Sequence, residues 1–110
     1  MSNKSAGEDE LARQLDALNI PYEREFRFAP PRRWRADFHL AGPWLVEVEG
    51  GVWTGGHRRG AEANKDTEKH NAVVMLGWKC LRFTPHQVET GEAIGVIEAA
   101  LATTPETDHE

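Results

Sequence analysis

Two facing carboxylates are the residues most able to do chemistry in this sequence. Residues 32–40, RRWRADFHL, alternate polar and apolar side chains, as do residues 44–49, WLVEVE, and only AGP separates the two runs. So short a loop predicts an antiparallel hairpin in which the numbers of facing residues sum to about 84. Asp37 then lies opposite Glu47 on a neighbouring strand.

The charge of these carboxylates requires compensation. Like charges that face each other on adjacent strands destabilise a sheet by a few tenths to ~1 kcal/mol. Mg²⁺ would remove that cost, since it prefers one or two carboxylates with waters and phosphate oxygens completing its shell. Asp37 and Glu47, with Glu49 or a nearby backbone carbonyl, form such a set. The alternative is a solvated sheet face on which Glu47 and Glu49 pair with Arg33 and Arg35.

Two lysines lie on the helix predicted after this hairpin, from Ala61 to Leu76. At about 100° per residue, Lys65 and Lys69 share a stripe with the apolar residues that end the helix and pack on the sheet. Both ammonium groups therefore lean toward the acidic strands. The alternative is that they are ordinary surface lysines whose stems cover apolar edges.

Hydrophobic spacing predicts the elements that must position these residues. A helix from about residue 7 to 19 carries Leu11, Leu15 and Leu18, and a strand follows at residues 22–28. The second strand should turn one face inward, with the side chains of Trp34, Ala36, Phe38 and Leu40. A further strand, WKCLRFT, follows Gly77, and a turn and a helix come after it.

The order helix, three strands, helix, strand, helix predicts an α/β domain in which a meander is joined to a βαβ-type crossover. We expect a single domain over residues 1–104 and a flexible acidic tail over residues 105–110. The segment GGVWTGGHRRG, with five glycines, is expected to be a mobile loop.

Composition excludes several classes of protein. A single cysteine, Cys80, rules out an internal disulfide, and no apolar run approaches the ~20 residues of a membrane span. The opening residues lack a secretory signal, so we expect an intracellular, cytoplasmic protein. The histidines and Cys80 do not have the spacing of zinc ligands.

The net charge of -5 conceals a basic middle. Residues 24–85 carry eleven bases against seven acids, a net charge of +4 between acidic ends. Its arginines could contact DNA phosphates, although each one alone is more often simple surface charge. Those of interest are Arg24, Arg27, Arg32, Arg33, Arg35, Arg58 and Arg59. His57 in the glycine-rich loop is either a phosphate contact, a proton shuttle or a plain loop residue.

Five segments, RRWRADF, LVEVEGGVW, GGHRRG, KDTEKHN and LGWKCLRFT, together resemble the PD-(D/E)XK nucleases. They span residues 32–84 and are most similar to small phage-type endonucleases related to Holliday junction resolvases and very-short-patch repair endonucleases. The resemblance implies a restriction-endonuclease-like αβββαβ core, with a mixed central sheet flanked by helices. It also implies Mg²⁺ as the cofactor, with Mn²⁺ as a substitute.

The resemblance assigns roles to individual residues. Asp37 corresponds to the acid of the second strand and Glu47 to the first acid of the (D/E)XK element, where both would bind metal. Glu49 stands where that element has its lysine, and is either a further metal ligand or a base. Lys69, with Lys65 second, is the expected replacement for the lysine. Glu8 matches the metal-binding glutamate of the first helix better than Glu10 does.

The activity implied is Mg²⁺-dependent hydrolysis of DNA by an endonuclease, with branched DNA or Holliday junctions as the substrate. Two symmetric cuts require two sites, which predicts a homodimer. The expected DNA contacts are Arg32, Arg33, Arg35, His57, Arg58 and Arg59. One alternative is a mismatch-directed or nicking repair endonuclease. Another is a catalytically inactive nuclease fold that binds DNA or a protein partner.

Overall fold

The computed structural model describes residues 4–49 and 61–103, with side chains described for residues 5–49 and 67–103. Its elements in chain order are α1 (Lys4–Ala17), β1 (Glu23–Arg27), β2 (Arg35–His39), β3 (Trp44–Val48), α2 (Ala61–Met75), β4 (Lys79–Phe83), α3 (Pro85–Glu89) and α4 (Glu92–Thr103). The predicted mixed α/β architecture is confirmed. The short helix α3 is an addition, since a turn was predicted there.

The four strands form one mixed sheet in the order β1-β2-β3-β4. β1, β2 and β3 are antiparallel neighbours, whereas β4 runs parallel to β3, so that a crossover connects these two. The register of β2 and β3 pairs Phe38 with Val46 and His39 with Leu45, as the three-residue loop predicts. Both pairs of numbers sum to 84.

Two core clusters lie on opposite faces of this sheet. The first core cluster joins Leu11 and Leu15 of α1 and Ile97 of α4 to Phe38 and Val46 of the sheet. The second core cluster lies on the side of α2, and its buried members are Phe28, Ala29, Ala36, Leu45 and Val73. Within residues 4–49 and 61–103, no helix is both long enough and apolar enough to cross a bilayer.

The side chains of β1 and β2 switch from one face of the sheet to the other where Glu25 lies beside Asp37. Glu25 has a φ of 52°, a left-handed conformation that interrupts the alternation of side chains along β1. Across the pair, Ala36 belongs to the second core cluster and Phe38 to the first, although they are only two residues apart. The prediction that Trp34, Ala36, Phe38 and Leu40 share one face is therefore wrong.

The helix ends follow from local chemistry. α1 ends at Ala17 because Asn19 adopts a left-handed φ of 58°. Leu18, predicted to continue the apolar stripe, consequently lies beyond the helix and is 45% exposed. α3 begins with a capping box, in which the Thr84 side chain accepts from the backbone of Gln87 and the Gln87 side chain accepts from the backbone of Thr84.

Candidate active site

Asp37 is a buried carboxylate at the point where the strand faces change. It is 8% exposed, and its Oδ2 accepts a hydrogen bond of 2.8 Å from the backbone N–H of Val48 on β3. The side chain thus takes the place of a backbone acceptor just beyond the Phe38 and Val46 pair. A buried N–H without a partner would cost about 1–3 kcal/mol, so this bond also holds β2 and β3 together.

Two further carboxylates converge on Asp37. Glu8 of α1 and Glu25 of β1 each offer an oxygen, and these three ligand atoms all lie within 4.8 Å of one another. Glu8 is 7% exposed, whereas Glu25 is exposed. α1 approaches the sheet closely here, because a Cβ on Gly7 would lie 3.0 Å from Cγ1 of Val48. The absence of a side chain at Gly7 lets the helix bring Glu8 to the strands.

Arg24 provides positive charge beside this carboxylate group. Its Nη2 donates to Glu8 Oε1 at 3.3 Å and to Asp9 Oδ1 at 3.2 Å, and its guanidinium lies 5.3 Å from the centroid of the Phe38 ring. Arg24 is the residue that breaks the apolar pattern of the first predicted strand. Its position, on the face of the sheet that meets α1, accounts for that break.

Glu47 and Lys69 form a second charged pair on the α2 side of the sheet. Lys69 Nζ donates to Glu47 Oε2 at 3.2 Å, and both side chains are more than two-thirds buried. Lys69 Nζ also lies 6.0 Å from the centroid of the Phe28 ring. Burial raises the pKa of the neighbouring Cys80 thiol to about 11, and the Glu47 carboxylate adds to this shift. The carboxylate group of Glu8, Glu25 and Asp37 thus lies on the α1 side of the sheet. The Glu47 and Lys69 pair lies on the α2 side.

The other predicted residues are distributed as follows. Glu49 is exposed, and its backbone N–H donates to Phe83 O at 2.8 Å, which extends the pairing of β3 with β4. Glu10 points away from Asp37 and pairs with Arg13 at 2.8 Å. Neither Glu47 nor Glu49 belongs to the carboxylate group found among the described residues.

Three of the predicted DNA contacts are exposed arginines in or just before β2. Arg33 and Arg35 are exposed, and Arg35 Nε lies 3.7 Å from Glu25 Oε1. Arg32 lies over the ring of Trp34, with 4.3 Å between its Cζ and the ring centroid. The side chain of Lys65 and the loop residues His57, Arg58 and Arg59 lie outside the described part of the chain.

Glu25 is the site residue that the sequence alone did not indicate. It reaches Asp37 because β1 pairs with β2 in a register that sets Arg24 against Phe38 and Phe26 against Ala36. Seven residues, 28–34, connect these strands, so no tight turn defines that register from the sequence. The signal available was the broken alternation at Arg24, which marks an irregular strand.

The carboxylate group fits a hard divalent cation. All three side chains offer oxygen atoms, the donor that Mg²⁺ and Mn²⁺ prefer, and the described residues present no histidine or cysteine within the group. Two of the three carboxylates are buried, which costs free energy unless positive charge compensates them. Arg24 supplies part of that charge, and a cation would supply the rest.

Comparison with known proteins bears on the fold. No protein-family model matches this chain, and no curated protein matches it. Among solved structures, the catalytic domain of homing endonuclease I-Bth0305I aligns with a TM-score of 0.59 and 20% sequence identity, over 80% of this chain and 84% of that one. This chain has the fold of a nuclease catalytic domain.

Proposed function

We propose that this protein is a divalent-metal-dependent DNA endonuclease of the PD-(D/E)XK type, which cleaves branched DNA and prefers Holliday junctions. One observation carries the proposal: Glu8, Glu25 and Asp37 converge within 4.8 Å in a chain with a nuclease-type fold. Buried acids that meet at one point are costly unless they bind a cation. A divalent cation held by such oxygen ligands suits phosphodiester hydrolysis.

In this proposal Asp37 and Glu8 hold Mg²⁺, with Mn²⁺ as a substitute, and Glu25 is a third ligand. The bound cation supplies polarisation of the phosphate and a lower pKa for an attacking water. Asp37 is held in place through its bond from the Val48 N–H, so its carboxylate is preorganised before DNA arrives. Glu49, at the exposed end of β3, is proposed as a base or an additional ligand.

Lys69 is proposed as the catalytic lysine in place of the residue missing at position 49. Its hydrogen bond to Glu47 Oε2 orients the ammonium group on the side of the sheet nearest α2. A fixed cation at that position stabilises negative charge that develops on the phosphate oxygens. In this proposal Glu47 positions Lys69, since its carboxylate lies outside the group that would hold the metal. Lys65 remains the second candidate.

Arginines around β2 are proposed to hold the DNA backbone. Arg32, Arg33 and Arg35 are exposed on the β1–β2 side of the site, and His57, Arg58 and Arg59 are proposed as contacts from the glycine-rich segment. Contacts of this kind release counterions, so binding should weaken steeply as salt is added. Cleavage of both strands of a junction further requires a homodimer with two related sites.

The decisive experiment compares three labelled substrates: a four-way junction, a nicked duplex and a linear duplex. Each is incubated with the protein in MgCl₂, in MnCl₂ and in EDTA, with Asp37→Asn as the inactive control. Symmetric cuts in the junction that require metal would support the proposal. Preferential cutting of the nicked duplex would favour a repair endonuclease instead, and binding without any cleavage would favour an inactive DNA-binding module.

The ligand set can be tested separately by titrating Mn²⁺ into the DNA-free protein by calorimetry. Glu25→Gln should weaken Mn²⁺ binding by about ten-fold or more, since it removes one of three converging carboxylates. Glu23→Gln is the matched control on the same strand, because Glu23 lies outside the carboxylate group. Equal loss in the two variants would contradict the assignment of Glu25.

A further inference from the structure

A groove lies beside the Glu47 and Lys69 pair, and the function proposed above makes no use of it. The segment that connects β1 to β2 forms one wall with Phe28, Arg32 and Trp34, and α2 forms the other with Asn71, Met75 and Leu76. We name it the α2 groove. Its volume of about 530 Å³ falls within the ~300–1,000 Å³ range typical of sites for small organic groups.

The walls of the α2 groove are aromatic and planar. The rings of Phe28 and Trp34 stack with 6.2 Å between centroids and an angle of 15° between planes. The Arg32 guanidinium lies over the indole at 4.3 Å. Flat aromatic rings and guanidinium planes are the surfaces on which unpaired nucleobases stack in proteins that bind single strands.

Arg32 is held in this position only weakly. Its Nη1 lies 3.8 Å from Glu68 Oε1, and both side chains are more than half exposed. Such surface pairs contribute little to stability. A DNA phosphate can therefore compete with Glu68 for the guanidinium, and a base can stack on the guanidinium or take its place against Trp34.

The groove continues toward the Glu47 and Lys69 pair, on the α2 side of the sheet. Phe28 lines it, and the ring of Phe28 also lies 6.0 Å from Lys69 Nζ, which donates to Glu47. A strand whose phosphate approached Lys69 would thus have its neighbouring bases at the aromatic wall. This continuity favours nucleic acid over a protein segment as the occupant, even though Met75 is 82% exposed.

We propose that the α2 groove binds one or two unpaired nucleotides of the strand that leads to the scissile phosphate. The inference rests on the proposed endonuclease function and specifies its substrate class. The groove would favour branched DNAs in which bases next to the cut are unpaired, as in a junction with an opened arm or in a flap. Continuous duplex has no exposed base faces to offer and binds only through its phosphates.

The test measures DNA binding in EDTA, which separates it from cleavage. Fluorescence anisotropy compares three labelled DNAs: a duplex of about 20 base pairs, the same duplex with a splayed single-stranded fork, and a single strand of about 12 nucleotides. The single strand falls within the ~4–16 nucleotides that known single-strand sites bind. Wild type should bind the fork about ten-fold more tightly than the duplex, as expected for stacking of one base. Equal affinity for fork and duplex would overturn the proposal.

Two neighbouring residues of α2 provide matched variants. Met75→Glu places a negative charge in the groove, whereas Val74→Glu places the same charge beside it at a residue that is 59% exposed and does not line the groove. Met75→Glu should remove most of the preference for the fork, and Val74→Glu should keep it. Arg32→Gln, which retains the hydrogen-bonding shape without the charge, should lower fork affinity by about three- to ten-fold.

The outcomes distinguish this proposal from the function on which it rests. If metal-dependent cleavage occurs but Met75→Glu binds the fork as wild type does, the groove assignment is wrong and the endonuclease stands. If no substrate is cut but the fork preference depends on Met75, the groove assignment stands and the enzyme fails. If Met75→Glu instead dissociates a dimer in light scattering while DNA affinity is unchanged, the groove is a contact between two copies, and the proposal is overturned.

Discussion

Arg24 and Glu8 form an ion pair in which Nη2 lies 3.3 Å from Oε1, and Glu8 and Asp37 are the two buried carboxylates of the group of three. The guanidinium is therefore the protein's own counter-ion at the position where we propose that a divalent cation binds. Because both cations act on the same carboxylate charge, Arg24 should influence metal affinity as well as folding.

Arg24→Met should lower the free energy of unfolding by about 1–2 kcal/mol in EDTA, since it removes the guanidinium charge beside the buried Glu8 carboxylate. Added MnCl₂ should raise the melting temperature of this variant more than that of wild type. Thermal denaturation with and without MnCl₂ measures both effects. Arg13→Met, which removes an exposed pair with Glu10, is the control and should change neither. Identical metal responses in wild type and Arg24→Met would contradict the competition.

Asp37 has a structural and a chemical role that two substitutions can separate. Asn keeps an oxygen that can accept from the Val48 N–H, so Asp37→Asn should unfold at nearly the wild-type denaturant concentration. Asp37→Ala leaves that buried N–H without an acceptor and should cost about 2 kcal/mol. Both variants should lose cleavage by more than about 100-fold, a loss of several kcal/mol in transition-state stabilisation. Full cleavage by Asp37→Asn would refute the metal assignment.

The choice between the two lysines of α2 can be decided by kinetics. Lys69→Ala should lower kcat with little change in KM, because the ammonium group is proposed to act on charge that develops in the transition state. Lys65→Ala should have a smaller effect, and Lys79→Ala, a change in an exposed residue of β4, should have none. Single-turnover cleavage of the preferred substrate measures the three. A loss confined to Lys65→Ala would overturn the preference for Lys69.

The pKa of the Cys80 thiol depends on the charge of Glu47, so it tests that charge without a cleavage assay. Burial first, and then Glu47, raise its pKa from about 9 to about 11, so alkylation by iodoacetamide should be slow at neutral pH and accelerate as the pH approaches 11. Glu47→Gln should move this profile to lower pH. Lys69→Ala should move it to higher pH, because the lysine charge lowers the same pKa.

Ionisation of the Cys80 thiol should also lower the free energy of unfolding at high pH. The unfolded thiol ionises near pH 9, whereas the folded thiol stays protonated until about pH 11. The contribution of Cys80 to stability is thus complete below pH 9 and is lost as the pH rises toward 11. Denaturant unfolding across that window should show a steeper decline in wild type than in Cys80→Ala. Parallel curves would mean that other groups cause the decline.

The sequence was sufficient where short loops left the chain little freedom. Three residues between β2 and β3 define their register, so the pairing of Phe38 with Val46 was predictable from spacing alone. α2 was predictable from its stripe, including the side of the helix on which Lys69 lies. The boundaries of α1 and α2 differ from prediction by at most three residues, as expected where helix ends depend on single cap residues.

The remainder depended on tertiary contacts that no local pattern reveals. The left-handed conformation of Glu25 is rare for a glutamate, and no local sequence pattern indicates it. The seven-residue connection between β1 and β2 leaves their register undetermined by the sequence, so the approach of Glu25 to Asp37 could not be predicted. α3 was readable in principle, since Thr84 and Gln87 have the spacing of a capping box.

The change of face at Asp37 has a consequence for how this protein can evolve. Ala36 packs in the second core cluster and Phe38 in the first. Packing on both faces of the sheet therefore holds the backbone in place at Asp37. If Asp37 binds metal as proposed, interior residues that pack beside it would also affect the geometry of the site. A library that randomises positions 36 and 38 while keeping Asp37 would measure how side-chain volume in the two core clusters alters metal binding.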